Sequence, residues 1–174
     1  MTAVRIESLA RAVRIESLAR DHHLAEFASG ADELDVWLRR FARVADASGT
    51  ARTYVLCDEA RVLGYYALTT GAVKRRDMPE RHARGMPGHP IGVILLARLA
   101  VDRSCQGKGY GRALMADAGV RALQAAEVVG ARAVLVHARD ESAASFYERL
   151  GFTRSPTDVL HLMVLIKDLR RTFG

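Results

Sequence analysis

The order of apolar and polar positions divides the chain into alternating and periodic stretches. Residues 14–19 alternate in the manner of a short strand. Asp21 reads as the N-cap of a short helix ending near Gly30, and Asp32 as the cap of a second. In the second helix Leu34, Trp37, Leu38, Phe41 and Ala45 recur at helical spacing, and Gly49 ends the run. Thr53–Cys57 and Val62–Val73 read as strands joined into a hairpin by Asp58-Glu59. Within the latter, Tyr65 and Tyr66 alternate faces, so one is expected to pack inward. Residues 74–90 hold three of the four prolines and read as a long exposed loop with one helical turn. Val93–Val101 is almost unbroken apolar sequence, the pattern of a central buried strand. A glycine-rich turn and a helix from Gly111 to Val129 follow. Arg132–Ala138 is another buried strand, ended by His137, which reads as a satisfied core histidine. Asp140 caps a helix over Glu141–Leu150 that Gly151 closes. Phe152 opens an edge strand, and His161–Lys167 closes the sheet. The sum is an α/β fold: a mixed, mostly antiparallel sheet flanked by helices, with no linker and no second core.

The beginning of the chain departs from this economy. Residues 3–11 and 12–20 are the same nine-residue string, AVRIESLAR. Nine residues are too few for a solenoid unit, so a recent duplication is the simpler account. Only one copy fits a given strand register. The second is expected to form the native strand. Residues 1–11 would then be an added arm, disordered or paired with a neighbour, ahead of one domain over 12–174.

Composition narrows the class of protein. At 174 residues the chain can bury roughly 70% of its unfolded surface without staples. No apolar run nears the ~18 residues that span a bilayer. The first residues carry charge where a signal peptide needs an apolar stretch. Cys57 and Cys105 give neither a disulfide framework nor metal-ligand spacing, so no metal is expected. These features point to the reducing cytoplasm. The formal net charge is +6, and of 26 basic residues only three, Lys74, Lys108 and Lys167, are lysine. Arginine forks onto phosphate, so such a surface suits RNA or an acidic partner, although coding bias alone can raise arginine. Lys74, Arg75, Arg76, Arg81 and Arg84 concentrate charge in the proline-rich loop, which is either a solvated face or an RNA contact.

The turn after the central strand carries the sharpest chemistry. In Gln106-Gly107-Lys108-Gly109-Tyr110-Gly111 the glycines free main-chain N–H groups at a helix N-terminus, a main-chain anion site. Arg103, Lys108 and Arg112 add charge around it. A Walker A loop fails because glycine, not serine or threonine, follows Lys108. A dinucleotide fingerprint fails because Arg112 stands at the last glycine position and the turn comes mid-chain. Q-x-x-G-x-G, made by Gln106, Gly109 and Gly111, does fit. It resembles the pyrophosphate-binding motif of the GCN5-related N-acetyltransferases.

Two further segments extend that resemblance. Leu99-Ala100-Val101-Asp102 is similar to the family's central strand, and the run from Asp140 through Phe146-Tyr147-Glu148 to Gly151-Phe152 is similar to its second motif. The resemblance implies a sheet splayed at acetyl-coenzyme A. Main chain at Leu99, Ala100 and Val101 would bind the pantetheine and acetyl carbonyl. Arg103, Gln106, Gly107, Lys108, Gly109, Tyr110, Gly111, Arg112, Ser142 and Phe146 would complete the cofactor site, with Tyr147 as general acid. Phe27 to Leu38, Arg52-Thr53-Tyr54-Val55, Gly64 to Leu68 and Pro90 to Asp102 further resemble the TacT-like toxins. This implies an enzyme that acetylates the α-amine of aminoacyl-tRNA and stops translation. It implies also a ribbon-helix-helix antitoxin partner, a homodimer and no membrane. Arg98 is then either a substrate-site residue or half of a buried ion pair. Acetylation of a protein N-terminus or small amine, or an inactive domain that only binds antitoxin or RNA, are the other expectations. Cys105, beside the turn but without a paired base, is expected to be inert.

Overall fold

The computed structural model describes residues 4–8 and 11–173. In chain order it contains β1 (Val4–Ser8), β2 (Arg11–Ser17), α1 (Asp32–Arg40), α2 (Ala42–Ser48), β3 (Arg52–Asp58) and β4 (Arg61–Val73). There follow α3 (Glu80–Ala83), β5 (Ile91–Val101), α4 (Tyr110–Val129), β6 (Ala133–His137), α5 (Glu141–Arg149), β7 (Thr153–Arg154), β8 (His161–Leu165) and α6 (Ile166–Phe173). The strand order is β1-β2-β3-β4-β5-β6-β8-β7. β5 and β6 pair in parallel, whereas β2/β3, β3/β4, β6/β8 and β7/β8 are antiparallel, which is the mixed, mostly antiparallel sheet expected. The parallel ladder runs from Ile94↔Val134 to Leu96↔Val136, and β5 continues to Val101 beyond it.

Two compact units make up the chain. The first takes residues up to Thr69 with Arg98–Ala118, the second Thr70–Ala97 with the remainder from Gly119. The first has its core where Leu24, Phe27, Leu38, Val55 and Tyr65 pack with Ala100 of β5. The second is built on Val73, Met78, Ile91, Val93, Leu135, Met163 and Leu165. Burying one such aliphatic or aromatic side chain contributes about 1.5–3 kcal/mol.

The structure corrects several expectations. Residues 21–30 form turns and an isolated bridge, His23↔Arg61, rather than a helix. So short a segment cannot offset helix nucleation, and its main chain is taken elsewhere: His23 N–H donates to the Ala60 carbonyl at 2.8 Å. The second expected helix is broken at Phe41 (φ −117°) into α1 and α2, so Leu38 and Ala42 stay buried while Phe41 leaves the core. Asp32 does not cap α1. Ala31 holds that position without a side-chain bond, and Asp35 instead accepts the Ser29 N–H at 3.0 Å and its hydroxyl at 2.6 Å. Residues 74–90 are only partly a surface loop, because Met78, His82 and Ala83 are buried. Tyr65 and Tyr66 are both fully buried, since both faces of β4 are covered. The last strand stops at Leu165, and α6 takes over with Ile166 and Leu169 inward and Phe173 filling the space left by Gly119. The end of α2 at Gly49 (φ +74°) and the closure of α5 at Gly151 (φ +97°) stand as expected.

Of the duplicated arm, residues 1–3, 9 and 10 lie outside the described residues. The intervening Val4–Ser8 is antiparallel to the second copy, with Val4 opposite Ile15 and Ser8 opposite Arg11. The second copy is itself the strand that pairs with β3, from Arg14 opposite Cys57 to Ser17 opposite Tyr54. Deleting residues 3–11 is therefore expected to move the melting temperature by less than about 5 °C, the shift that ~1 kcal/mol produces in a small domain. Calorimetry of the shortened chain checks this, and a larger fall would show that the first copy packs.

Candidate active site

Asp102 prepares the turn in the first unit. Its N–H donates to Leu63 at 2.8 Å, and its carboxylate accepts the N–H groups of Ala28 (3.1 Å) and Ser104 (3.0 Å) and the Ser104 hydroxyl (2.7 Å). Burial opposes the charge, but these bonds outweigh it and hold the carboxyl below its ordinary range. Gln106 follows. Its amide donates to the carbonyls of Ser29 (2.9 Å) and Val101 (3.0 Å), so this side chain staples the turn to β5. Gly107 and Gly109 take φ of +79° and +83°, and a Cβ added to either would enter open space. Only glycine adopts that backbone without strain. Ala113 N–H bonds the Gly109 carbonyl at 3.2 Å. Among the described residues no main-chain carbonyl receives the N–H groups of residues 107–112. Those groups, at the head of a 20-residue helix and flanked by exposed Arg103, Lys108 and Arg112, form a cradle that fits a diphosphate. Tyr110 is buried, so only its main chain is available there. Arg103 lies against Gly30, whose missing side chain leaves it room.

Upstream on β5, Leu99 and Val101 are half-buried and Ala100 is buried. Arg98 forms no ion pair among the described residues; it lies over Trp37, 4.3 Å from the ring centroid. The buried-ion-pair expectation is thus replaced by a cation–π contact. Trp37 was legible only as an apolar helix position, and nothing local in the sequence announces a partner 61 positions away.

Tyr147 stands in the second unit, on α5. Asp140 accepts the Ala143 N–H at 2.8 Å and starts the helix; the Tyr147 carbonyl takes the N–H groups of Leu150 and Phe152 and ends it. Its ring is wedged against Phe146 and Phe152, with centroids 5.2 and 5.5 Å away. Burial pushes the phenol above its ordinary value, so it carries its proton throughout the physiological range. Among the described residues the hydroxyl has no hydrogen-bond partner, and it is not sealed from solvent. Arg154 on β7 clamps the outer side of α5 through Glu141 (2.6 Å) and Glu148 (2.7 Å). Ser142 is exposed at the start of α5, and Phe146 is half-buried.

The basic loop of the same unit borders a cavity of about 780 Å³ that Lys74, Arg75, Arg76 and Arg84 line. Arg81 is not among them, because its guanidinium is bound to Asp168 of α6 at 2.8 and 3.2 Å. His137 corrects another expectation: it is exposed and stacks on His161 at 3.9 Å, beside a smaller cavity of about 490 Å³. Burial of part of the ring and the neighbouring His161 lower its basicity.

One cluster unseen in the sequence joins Glu16, His22 and Cys57 in the first unit. His22 Nδ1 accepts the Ala19 N–H at 2.8 Å, so the proton sits on Nε2 and is donated to Glu16 at 2.7 Å. With both nitrogens used, the ring has no lone pair for a cation. Arg14 holds Glu16 down at about 2, and burial with the Glu16 charge pushes the Cys57 thiol up to about 12, so the cluster is a satisfied polar core.

The family follows from comparison with known proteins. The model of the acetyltransferase (GNAT) domain matches residues 49–154, which contain the turn, the central strand and Tyr147. The chain belongs to the GNAT acetyltransferase family. It is 48% identical, over 87% of its length and 90% of the relative, to a tRNA-acetylating toxin of Mycobacterium tuberculosis. The solved structure of AtaT complexed with acetyl-methionyl-tRNAfMet superposes with a TM-score of 0.86, 31% identity, and coverage of 93% of this chain and 99% of that one. A mutant AtaT toxin bound to the C-terminus of the antitoxin AtaR and to acetyl-CoA gives a TM-score of 0.79 at 30% identity, covering 92% and 97%. This GNAT acetyltransferase contains, among the described residues, no helix long and apolar enough to cross a membrane.

Proposed function

We propose that this protein uses acetyl-coenzyme A to acetylate the α-amine of an amino acid carried on tRNA, and that it thereby blocks translation as the toxin of a toxin–antitoxin pair. The observation that carries the proposal is the likeness, over more than nine-tenths of the chain, to a toxin solved with acetyl-methionyl-tRNA. The antitoxin is of the ribbon-helix-helix class, the enzyme a cytoplasmic homodimer, and the acetyltransferase domain is residues 12–174.

Bound acetyl-coenzyme A supplies the acetyl group as a thioester. The N–H groups of residues 107–112 hold its pyrophosphate, with Lys108, Arg103 and Arg112 adding charge and Ser142 and Phe146 contributing from α5. A main-chain N–H near Ala100 or Val101 polarises the carbonyl. An α-amine has a pKa near 7.7–8.0, and esterification lowers it, so much of the acceptor is already neutral at pH 7 and needs no strong base. The Tyr147 hydroxyl donates the proton that the departing thiolate requires.

The acceptor's phosphates are held at the cavity of Lys74, Arg75, Arg76 and Arg84, while Arg81 acts through its bond to Asp168 to hold α3. Binding should weaken with salt at a log–log slope of roughly −0.7 to −0.9 per phosphate contact. Replacing Lys74, Arg75 and Arg76 with alanine should flatten that slope and raise KM for charged tRNA without moving KM for acetyl-coenzyme A. Steady-state assays across a salt series, with deacylated tRNA as the blank, measure this. Equal acetylation of a peptide or polyamine with charged tRNA untouched would transfer the activity to another acceptor.

A further inference from the structure

Three side chains meet around Trp37 in the first unit. Tyr65 is fully buried and donates its hydroxyl proton to the Leu34 carbonyl at 2.7 Å, which fixes its ring. Trp37, one turn along α1, lies 9° from parallel to it with centroids 6.1 Å apart. The Arg98 guanidinium carbon lies over the Trp37 ring, 4.3 Å from its centroid. Trp37 and Arg98 are both half-buried, and among the described residues no carboxylate or carbonyl takes the guanidinium donors. The part of the guanidinium that stays exposed keeps its forked N–H donors accessible. The side of the strand it occupies is informative. Arg98 shares its face of β5 with Ala100, which packs with Leu38, Tyr65 and Trp37. On β4 the next position, Gly64, faces Leu114 of α4 instead. Arg98 therefore stands away from the helix whose N-terminus holds the diphosphate cradle.

We infer that Arg98, seated on Trp37, receives the unpaired 3′-terminal nucleotide of the acceptor, stacking on its base and holding a phosphate with its N–H groups. The inference rests on the acceptor being charged tRNA. Guanidinium planes serve as platforms for unstacked RNA bases, and the fork of donors matches a phosphate. The end of a tRNA that carries the amine is single-stranded, so it has a free base to offer. An acidic peptide would engage the N–H groups alone and offer no base to stack.

The test compares wild type with Arg98→Gln, Arg98→Lys and Trp37→Phe on two acceptors: whole charged tRNA, and a short oligonucleotide of its 3′ end bearing the same aminoacyl ester. Arg98→Gln should raise KM about tenfold on both, the loss of one stacked base. Arg98→Lys should lose nearly as much while keeping the salt slope, because it retains the charge but not the plane. Trp37→Phe should give a smaller rise on both. Calorimetry should show the same acetyl-coenzyme A affinity and melting temperature in all four proteins. A loss confined to whole tRNA would place Arg98 on another part of the RNA and overturn the inference. Full rescue by lysine, or a changed cofactor affinity, would overturn it too, as would an unchanged KM with lost binding of an antitoxin peptide. If wild type modifies neither acceptor, the reading of the acceptor itself fails first and takes this inference with it.

Discussion

Tyr147→Phe should lower turnover by about 10²–10⁴-fold, the usual worth of one general acid, while the fold and the affinity for acetyl-coenzyme A stay unchanged. The ring is what α5 packs, against Phe146 and Phe152, and phenylalanine keeps the ring. Only the proton is lost. Because burial raises the phenol above its ordinary value of 10, deprotonation of Tyr147 should not reduce the rate anywhere below that pH. The wild-type rate should instead climb as pH rises through the acceptor amine's own pKa and then level off. Saturating kinetics of both proteins across pH, with calorimetry of the cofactor, make the measurement; wild-type turnover in the variant would leave Tyr147 a packing residue.

Gly109→Val should weaken acetyl-coenzyme A binding about tenfold or more. At φ +83° a branched side chain is strained by about 1–3 kcal/mol, and relief of that strain would rotate the N–H groups out of the cradle. The space beside Gly109 narrows the cause, since an added Cβ meets no atom within 4 Å beyond its chain neighbours. Any loss must come from the backbone or from the cofactor itself. Titration calorimetry reads the affinity directly, and an unchanged value would remove the pyrophosphate from this turn.

The strands of the sheet, α4, α5 and the glycine turn were legible because their signals are local. Val93–Val101 is apolar at every position but Arg98, Asp140 precedes its helix by one residue, and Gly107 and Gly109 sit where a strand must give way to a helix. The misread segments depend on partners far along the chain. Residues 21–30 carry a capping aspartate and apolar positions, yet their main chain is committed to Ala60, Asp102 and Arg103. Phe41 fits the helical period of its neighbours, but the turn between α1 and α2 carries it outward. Arg81 reads like its basic neighbours until Asp168, 87 positions later, takes it out of their cavity. Trp37 and Arg98 each have an ordinary local role, and only the fold lays one on the other.

The burial of the two cysteines has a bearing on fidelity. A thioester is an acyl donor to any accessible thiolate, and an enzyme that holds one beside its own cysteine risks acylating itself. Cys57 is fully buried with its thiol pushed up to about 12, so almost no thiolate exists to attack. Cys105 is only 6% exposed although it belongs to the segment that leads into the glycine turn. The acetyl group therefore meets no competing sulfur on the protein, and its transfer is left to the acceptor amine or to water.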